Sequence, residues 1–213
     1  MAKSSSSKQW LRRHVNDPYV QRSKKEGYRS RSAYKLTEID ERDKLLKPGM
    51  VVIDLGSAPG GWSQVLAKRL GASATIIAID LLAMEPVSGV TFVQGDFTRE
   101  SGLARIRDAL NGRMADVILS DMAPNLTGIA VSDQARTMEL AELARDFARL
   151  HLKRDGSLLV KIFQGAGYDE YLKSLRREFR KVVVRKPDAS RDESAEQYLL
   201  ARGLKATESP PPS

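Results

Sequence analysis

From about residue 50 to residue 201, short apolar, β-branched runs alternate with stretches whose apolar positions recur every three or four residues. The runs at 50–55, 75–81, 90–94, 116–120, 157–163, 181–185 and 197–201 have the length and composition of strands. Helical spacing marks 61–70, 99–110, 133–153 and 168–179. In the longest of these, Met138, Ala141, Ala144, Ala148 and Leu152 share one face, and Glu142, Arg145, Asp146 and Arg149 supply charged neighbours. A further helix is predicted over 32–46 from Ala33, Leu36 and Ile39, with Ser32 as its N-cap and Pro48-Gly49 ending it. Strands that alternate with helices imply a mostly parallel sheet covered on both faces. Only residues 187–196 separate the last two strands, fewer than the roughly dozen residues of a helical crossover, so they should form an antiparallel pair. The expectation is an α/β, Rossmann-like fold: a seven-stranded, mostly parallel sheet with an antiparallel last strand.

Residues 1 to about 30 are rich in Ser, Lys and Arg with weak periodicity, and read as a basic, partly flexible arm. Residues 31–206 form the domain. The tail over 207–213, with Pro210, Pro211 and Pro212, reads as disordered. The formal net charge of +8 is uneven. Lys3, Lys8, Arg12, Arg13, Lys24, Lys25, Arg29, Arg31 and Lys35 crowd the start against Asp17 and Glu26 alone. A second cluster, Lys173, Arg176, Arg177, Arg180, Lys181, Arg185 and Lys186, is opposed only by Glu178. Such patches suit a polyanion as partner, and Tyr19, Tyr28 and Tyr34 among the first set suggest base stacking, which points to RNA. A solvated face is the plain alternative for either patch alone.

Composition narrows the chemistry. With no cysteine there is no disulfide, thiolate metal site or thiol nucleophile. His14 and His151 are the only imidazoles, so no metal centre is expected. No apolar run approaches the roughly 18 residues of a membrane span, and no apolar segment follows the basic start. The chain therefore reads as soluble and cytoplasmic, with no membrane partner and a monomer as the default.

The first strand runs into Asp54-Leu55-Gly56-Ser57-Ala58-Pro59-Gly60-Gly61-Trp62 and a helix follows. Glycines there let a backbone approach a ligand closely, and the helix start offers free N–H groups. Dinucleotide enzymes use the same device, but Asp80 and Asp96-Phe97 close the next two strands. Asp80 is placed to hold ribose hydroxyls, Asp96 an adenine amine. Pro59, and Gly56-Ser57-Ala58 where a dinucleotide site has Gly-x-Gly, weigh against a nicotinamide dehydrogenase. For any one of these acids, loop capping is the commoner role.

The fourth strand delivers Asp121, followed by Met122-Ala123-Pro124-Asn125, and the fifth carries Lys161 within an apolar run. Burying an unpaired ammonium costs several kcal/mol, so a lysine there needs a partner or a route to the edge. Glu196 begins the last strand and can face Lys161, and Lys35 can cover the same crevice. Two lysines and two carboxylates would then have no net charge. A hydroxyl attacking an electrophilic methyl gains from alignment and from a neighbouring base. Lys161 fits either as that base or as the group that orients the hydroxyl and stabilises the alkoxide.

Asp54–Trp62, Ser120-Asp121-Met122-Ala123-Pro124-Asn125, Leu159-Val160-Lys161 and the late Glu196 resemble the FtsJ/RlmE family of ribose 2′-O-methyltransferases, over about 28–204. The most specific part is the ordered set Lys35, Asp121, Lys161 and Glu196. The resemblance implies the class I methyltransferase fold and S-adenosyl-L-methionine as cofactor, with S-adenosyl-L-homocysteine as product. It implies cofactor contacts at Gly56, Gly60, Trp62, Asp80, Asp96, Phe97 and Asp121, and Lys161 as proton acceptor. It further implies a uridine in the A loop of 23S ribosomal RNA as target, reached in the assembled large subunit during its maturation. Transfer-RNA or cap ribose methylation is the nearest alternative, and a non-catalytic RNA-binding assembly factor is the alternative from another class. Lack of cysteine argues against methylation at pyrimidine C5, and lack of an aromatic after Asp121 argues against methylation of an adenine amine.

Overall fold

The computed structural model describes residues 17–124, 127–191 and 194–205. Seven strands form one sheet: β1 (Val51–Leu55), β2 (Thr75–Asp80), β3 (Val90–Gln94), β4 (Ala115–Ser120), β5 (Leu152–Phe163), β6 (Phe179–Arg185) and β7 (Glu196–Leu204). Their order is β3-β2-β1-β4-β5-β7-β6. β1 to β5 pair in parallel, whereas β7 is antiparallel to both β5 and β6. This is the expected fold. Every side chain of β1 is buried, because helices cover both faces, and that is why the central strands read as unbroken apolar runs.

Among the described residues, six helices accompany the sheet: α1 (Pro18–Glu26), α2 (Ser32–Asp43), α3 (Gly61–Leu70), α4 (Glu100–Leu110), α5 (Ala130–His151) and α6 (Tyr168–Glu178). On one face Ala33, Leu36 and Ile39 of α2 and Trp62, Val65 and Leu66 of α3 pack over Val52, Val117, Leu159, Tyr198 and Leu200. On the other, α4, α5 and α6 cover Ile53, Ile118, Leu158 and Leu199.

Several boundaries differ from the sequence reading: α2 ends at Asp43, not residue 46, and β5 begins at Leu152, inside the expected long helix. α5 begins at Ala130, not Asp133, because the Asp133 carboxylate reaches back to the N–H groups of Thr127 and Gly128 and the Thr127 hydroxyl. Ser32 is the first residue of α2 and not its cap. The expected arm is, from residue 17, folded structure. Asp17 caps α1 by accepting from the N–H groups of Tyr19 and Val20, Pro18 opens the helix, and Gly27 ends it at φ 77°. Residues 1–16 of that arm and the tail from residue 206 lie outside the described residues.

α1 is fixed through the tyrosines assigned to base stacking. Tyr34 is 3% exposed and meets Tyr19 and Tyr28 at ring-centroid distances of 5.5 and 5.6 Å. The Tyr34 hydroxyl donates to Glu26 and that of Tyr19 to Glu38. The three rings form a clasp between α1 and α2, and Tyr34 has no face left for a nucleobase.

Candidate active site

Side chains alternate across a strand, so residues two apart share a face. Val52 and Leu119 lie on the face under α2 and α3, as do Leu159 and Tyr198. Two residues beyond the first three come Asp54, Asp121 and Lys161, and two residues before Tyr198 comes Glu196. Period and register therefore bring all four charged groups to one face, and the three at the ends of β4, β5 and β7 meet there.

Lys161 is 8% exposed, and its Nζ donates to the Asp121 carbonyl at 2.5 Å and to Asp121 Oδ1 at 3.1 Å. It does not escape to the sheet edge. Lys35, on α2, donates from Nζ to Glu196 Oε1 at 2.6 Å. The expected facing of Glu196 and Lys161 is corrected by register: Lys161 lies opposite Tyr198, and Glu196 lies opposite Phe163. The four residues form two ion pairs, Lys161–Asp121 and Lys35–Glu196.

Two residues outside the sequence reading join those pairs. The buried Tyr198 hydroxyl donates to Asp121 Oδ1 at 2.6 Å, and its ring lies 5.8 Å from Trp62 and 5.9 Å from Lys35 Nζ. Burial first, then the Asp121 and Glu196 charges, push its pKa well above the ordinary tyrosine value, so it stays a donor between the two carboxylates. The Ser190 hydroxyl donates to Glu196 Oε1 at 2.8 Å. Tyr198 was legible, two positions from Glu196 on a predicted strand; Ser190 carried no signal.

The glycine turn lies beside this set. Gly56 has φ 73°, and a Cβ there would collide with the Met122 side chain, next to Asp121. Gly60, at φ 107°, is the N-cap of α3. Asp80 Oδ2 accepts from the Ala58 N–H at 2.9 Å, tying the end of β2 to the turn, while Oδ1 accepts from Leu82. Asp96 accepts from the N–H and hydroxyl of Thr98, and so holds the loop after β3. Phe97 packs edge-on against Phe147 at 5.8 Å. Trp62 is 2% exposed and its indole N–H donates to the Ser32 carbonyl, so its indole is core and a contact to a cofactor would come from its main chain.

Two buried side-chain oxygens at this turn have no partner, Asp54 Oδ1 and Ser57 Oγ. Burial raises the Asp54 carboxyl to about 7, Asp121 and Asp80 add to this, and the bond from Ser63 opposes it. Orphaned buried acceptors at a turn flanked by Asp80 and Asp96 fit a ligand that brings polar hydrogens, as a nucleoside carrying an amino acid does. No group of three or more metal-ligating side chains exists among the described residues. Nor is any helix among them long and apolar enough to cross a membrane.

An open α/β sheet with an antiparallel β7, a glycine turn after β1 and lysine–carboxylate pairs at the strand ends belongs to the Rossmann-like methyltransferase class. A family model described as FtsJ-like methyltransferase matches residues 28–204, and the chain belongs to that family. It is 54% identical over 205 residues to a protein of Dechloromonas aromatica named ribosomal RNA large subunit methyltransferase E, covering 96% of this chain and 100% of that one. A protein of the same name from Neisseria meningitidis is 57% identical over 200 residues, 94% of this chain and 97% of the relative. A Plasmodium falciparum crystal structure bearing the name ribosomal RNA methyltransferase superposes with a TM-score of 0.75 at 29% identity. That match covers 83% of this chain and 98% of that one.

Proposed function

We propose that the protein methylates a ribose 2′-hydroxyl of large-subunit ribosomal RNA, at a uridine of the A loop in the assembled subunit, using S-adenosylmethionine. The observation that carries this reading is Lys161: a lysine buried in a central strand, bonded twice to Asp121 beside the glycine turn. The names of the relatives support the ribosomal target.

S-adenosylmethionine, when bound, supplies an electrophilic methyl group on a sulfonium. Gly56, Gly60, the Trp62 main chain, Asp80, Asp96 and Asp121 would hold it, with Phe97 behind the adenine. The chain's own task is the hydroxyl. Two bonds to Asp121 use both hydrogens of Lys161 as a neutral amine and leave its lone pair for the sugar oxygen's proton; taking up that proton as the methyl is transferred turns the amine into the ammonium paired with Asp121. Lys35 holds Glu196, and Tyr198 ties Asp121 to this second pair, so the groups stay aligned and the two lysines offset the two carboxylates once Lys161 carries the proton. Alignment of this kind lowers the barrier by removing orientational freedom before the reaction. The protein acts as a cytoplasmic monomer, and exposed Lys24 and Lys25 on α1 meet RNA phosphates.

The test is nucleotide-resolution mapping of 2′-O-methylation in subunits from a deletion strain, before and after treatment with purified protein and S-adenosylmethionine. One new 2′-O-methyl mark on a large-subunit uridine is expected. A mark on a base, or on transfer RNA alone, would overturn the assignment.

A further inference from the structure

Residues 27–31, between α1 and α2, and Ser32 at the start of α2 lie against the glycine turn and the start of α3. The Gln64 side chain grips it from both ends of its amide: Nε2 donates to the Gly27 carbonyl at 2.9 Å, and Oε1 accepts from the Arg29 N–H at 2.8 Å. The Trp62 indole fixes Ser32. A Cβ on Gly61 would collide with the Ser30 hydroxyl, and one on Gly60 would lie 2.8 Å from Arg29 Nη1 and 2.9 Å from Met84 Sδ. These contacts show how closely the segment lies on the turn, and the φ of 107° independently favours glycine at position 60.

The Arg29 guanidinium reaches further. It donates to the Pro59 carbonyl at 3.2 Å, the Glu85 carbonyl at 2.5 Å and the Pro86 carbonyl at 2.8 Å. Pro59 belongs to the turn after β1, and Glu85 and Pro86 to the loop after β2. These are the two loops between which an open α/β sheet takes a nucleoside. One cation with three carbonyl acceptors is a cross-brace between them, and charge-assisted bonds are the stronger kind.

We infer that Arg29 is a positioning residue of the cofactor site: it fixes the spacing of the loops after β1 and β2, and so sets affinity for S-adenosylmethionine rather than for RNA. This departs from the sequence reading, in which Arg29 was one more phosphate contact. The inference rests on the cofactor assignment above, and the experiment separates the two.

The measurement is calorimetric binding of S-adenosylhomocysteine to the full-length protein, its Arg29→Met and its Arg29→Lys variant, with RNA affinity measured alongside at several salt concentrations. Arg29→Met is expected to weaken ligand binding about tenfold, within the usual range for coupling between a support and a site. RNA affinity and its salt slope should stay at the wild-type value. Arg29→Lys keeps the charge but loses the fork, and should fall between. Unchanged ligand affinity in Arg29→Met, or a loss confined to RNA binding, overturns the inference. Absence of binding by the wild type would instead sink the cofactor assignment. Should Arg29→Met fail to fold, hydrogen exchange of the wild type decides: saturating ligand should slow amides in both 27–32 and 82–87, and no protection there overturns the inference.

Discussion

Asp54 offers a perturbation whose size follows from the structure. Its carboxyl is fully buried on β1, accepts one hydrogen bond from Ser63 at 2.8 Å, and titrates at about 7. In the unfolded chain an aspartate titrates near 3.9. The folded value is the higher one, so the folded protein binds the proton more tightly. The stabilisation is full below about pH 4 and is lost as pH rises towards 7, above which stability no longer changes through this group. At about 1.4 kcal/mol per unit, the total is about 4 kcal/mol, of which about 3 kcal/mol falls between pH 5 and pH 8. For a domain of this size, 1 kcal/mol moves Tm by about 2–4 °C, so the expected loss is about 6–12 °C.

Asp54→Asn isolates the effect. Asparagine can still accept from Ser63, while its amide nitrogen falls where Oδ1 had no partner, a penalty that does not vary with pH. Melting curves of both proteins, taken in matched buffers from pH 5 to pH 8, give the difference in Tm at each pH. That difference should move in favour of the variant as pH rises and level off above about 7. Parallel drift of the two proteins would refute the reasoning, since it would mean that Asp54 ionises without penalty.

Lys161→Ala should lower methyl transfer by at least about a thousandfold, within the range of a lost general base, while calorimetry shows S-adenosylhomocysteine binding intact; substantial residual activity would remove Lys161 from the chemistry. Tyr198→Phe keeps the ring against Trp62 and deletes one buried bond to Asp121, so kcat should fall about tenfold with cofactor affinity unchanged; an unaltered kcat would restrict Tyr198 to a packing role. Replacing Lys24 and Lys25 with Glu should weaken RNA binding and reduce the log–log salt slope by about two, and an unaltered slope would free α1 from any phosphate contact.

The sheet was legible because its central strands are apolar on both faces, which leaves a run of Val, Ile and Leu that no surface element imitates. α1 was not, since only Val20 and Ser23 are buried and so little of a helical stripe exists; the signature lay instead in Asp17-Pro18 and Gly27, a cap, an opening proline and a left-handed stop. Lys161 stood out as a charge within an apolar run. Asp54 sits in one as well, inside Val51–Leu55, and the same reasoning would have flagged it. Pairing was the part beyond reach: which lysine meets which carboxylate depends on the register of β7 against β5, and a shift of two residues would set Lys161 against Glu196. The internal partners of Arg29 and Arg31 were equally hidden. Arg31 binds Asp17 and the Ala189 carbonyl, so a basic run read as an RNA surface is in part a set of braces.

A buried ion pair is weak evidence of selection for stability, because well-packed apolar residues of similar volume often do as well or better. Here two such pairs, with Tyr198 between them, stand at the carboxyl ends of β4 and β5 and the start of β7, where an open α/β sheet receives its ligand. To the four groups of the ion pairs Asp54 adds a fifth titratable group one strand away, with an oxygen that has no partner among the described residues. Packing explains none of these five charged side chains. Four lie on one face of the sheet beside the glycine turn, Lys35 reaches them from α2, and a positioned nitrogen with paired carboxylates in that place is what the proposed methyl transfer requires.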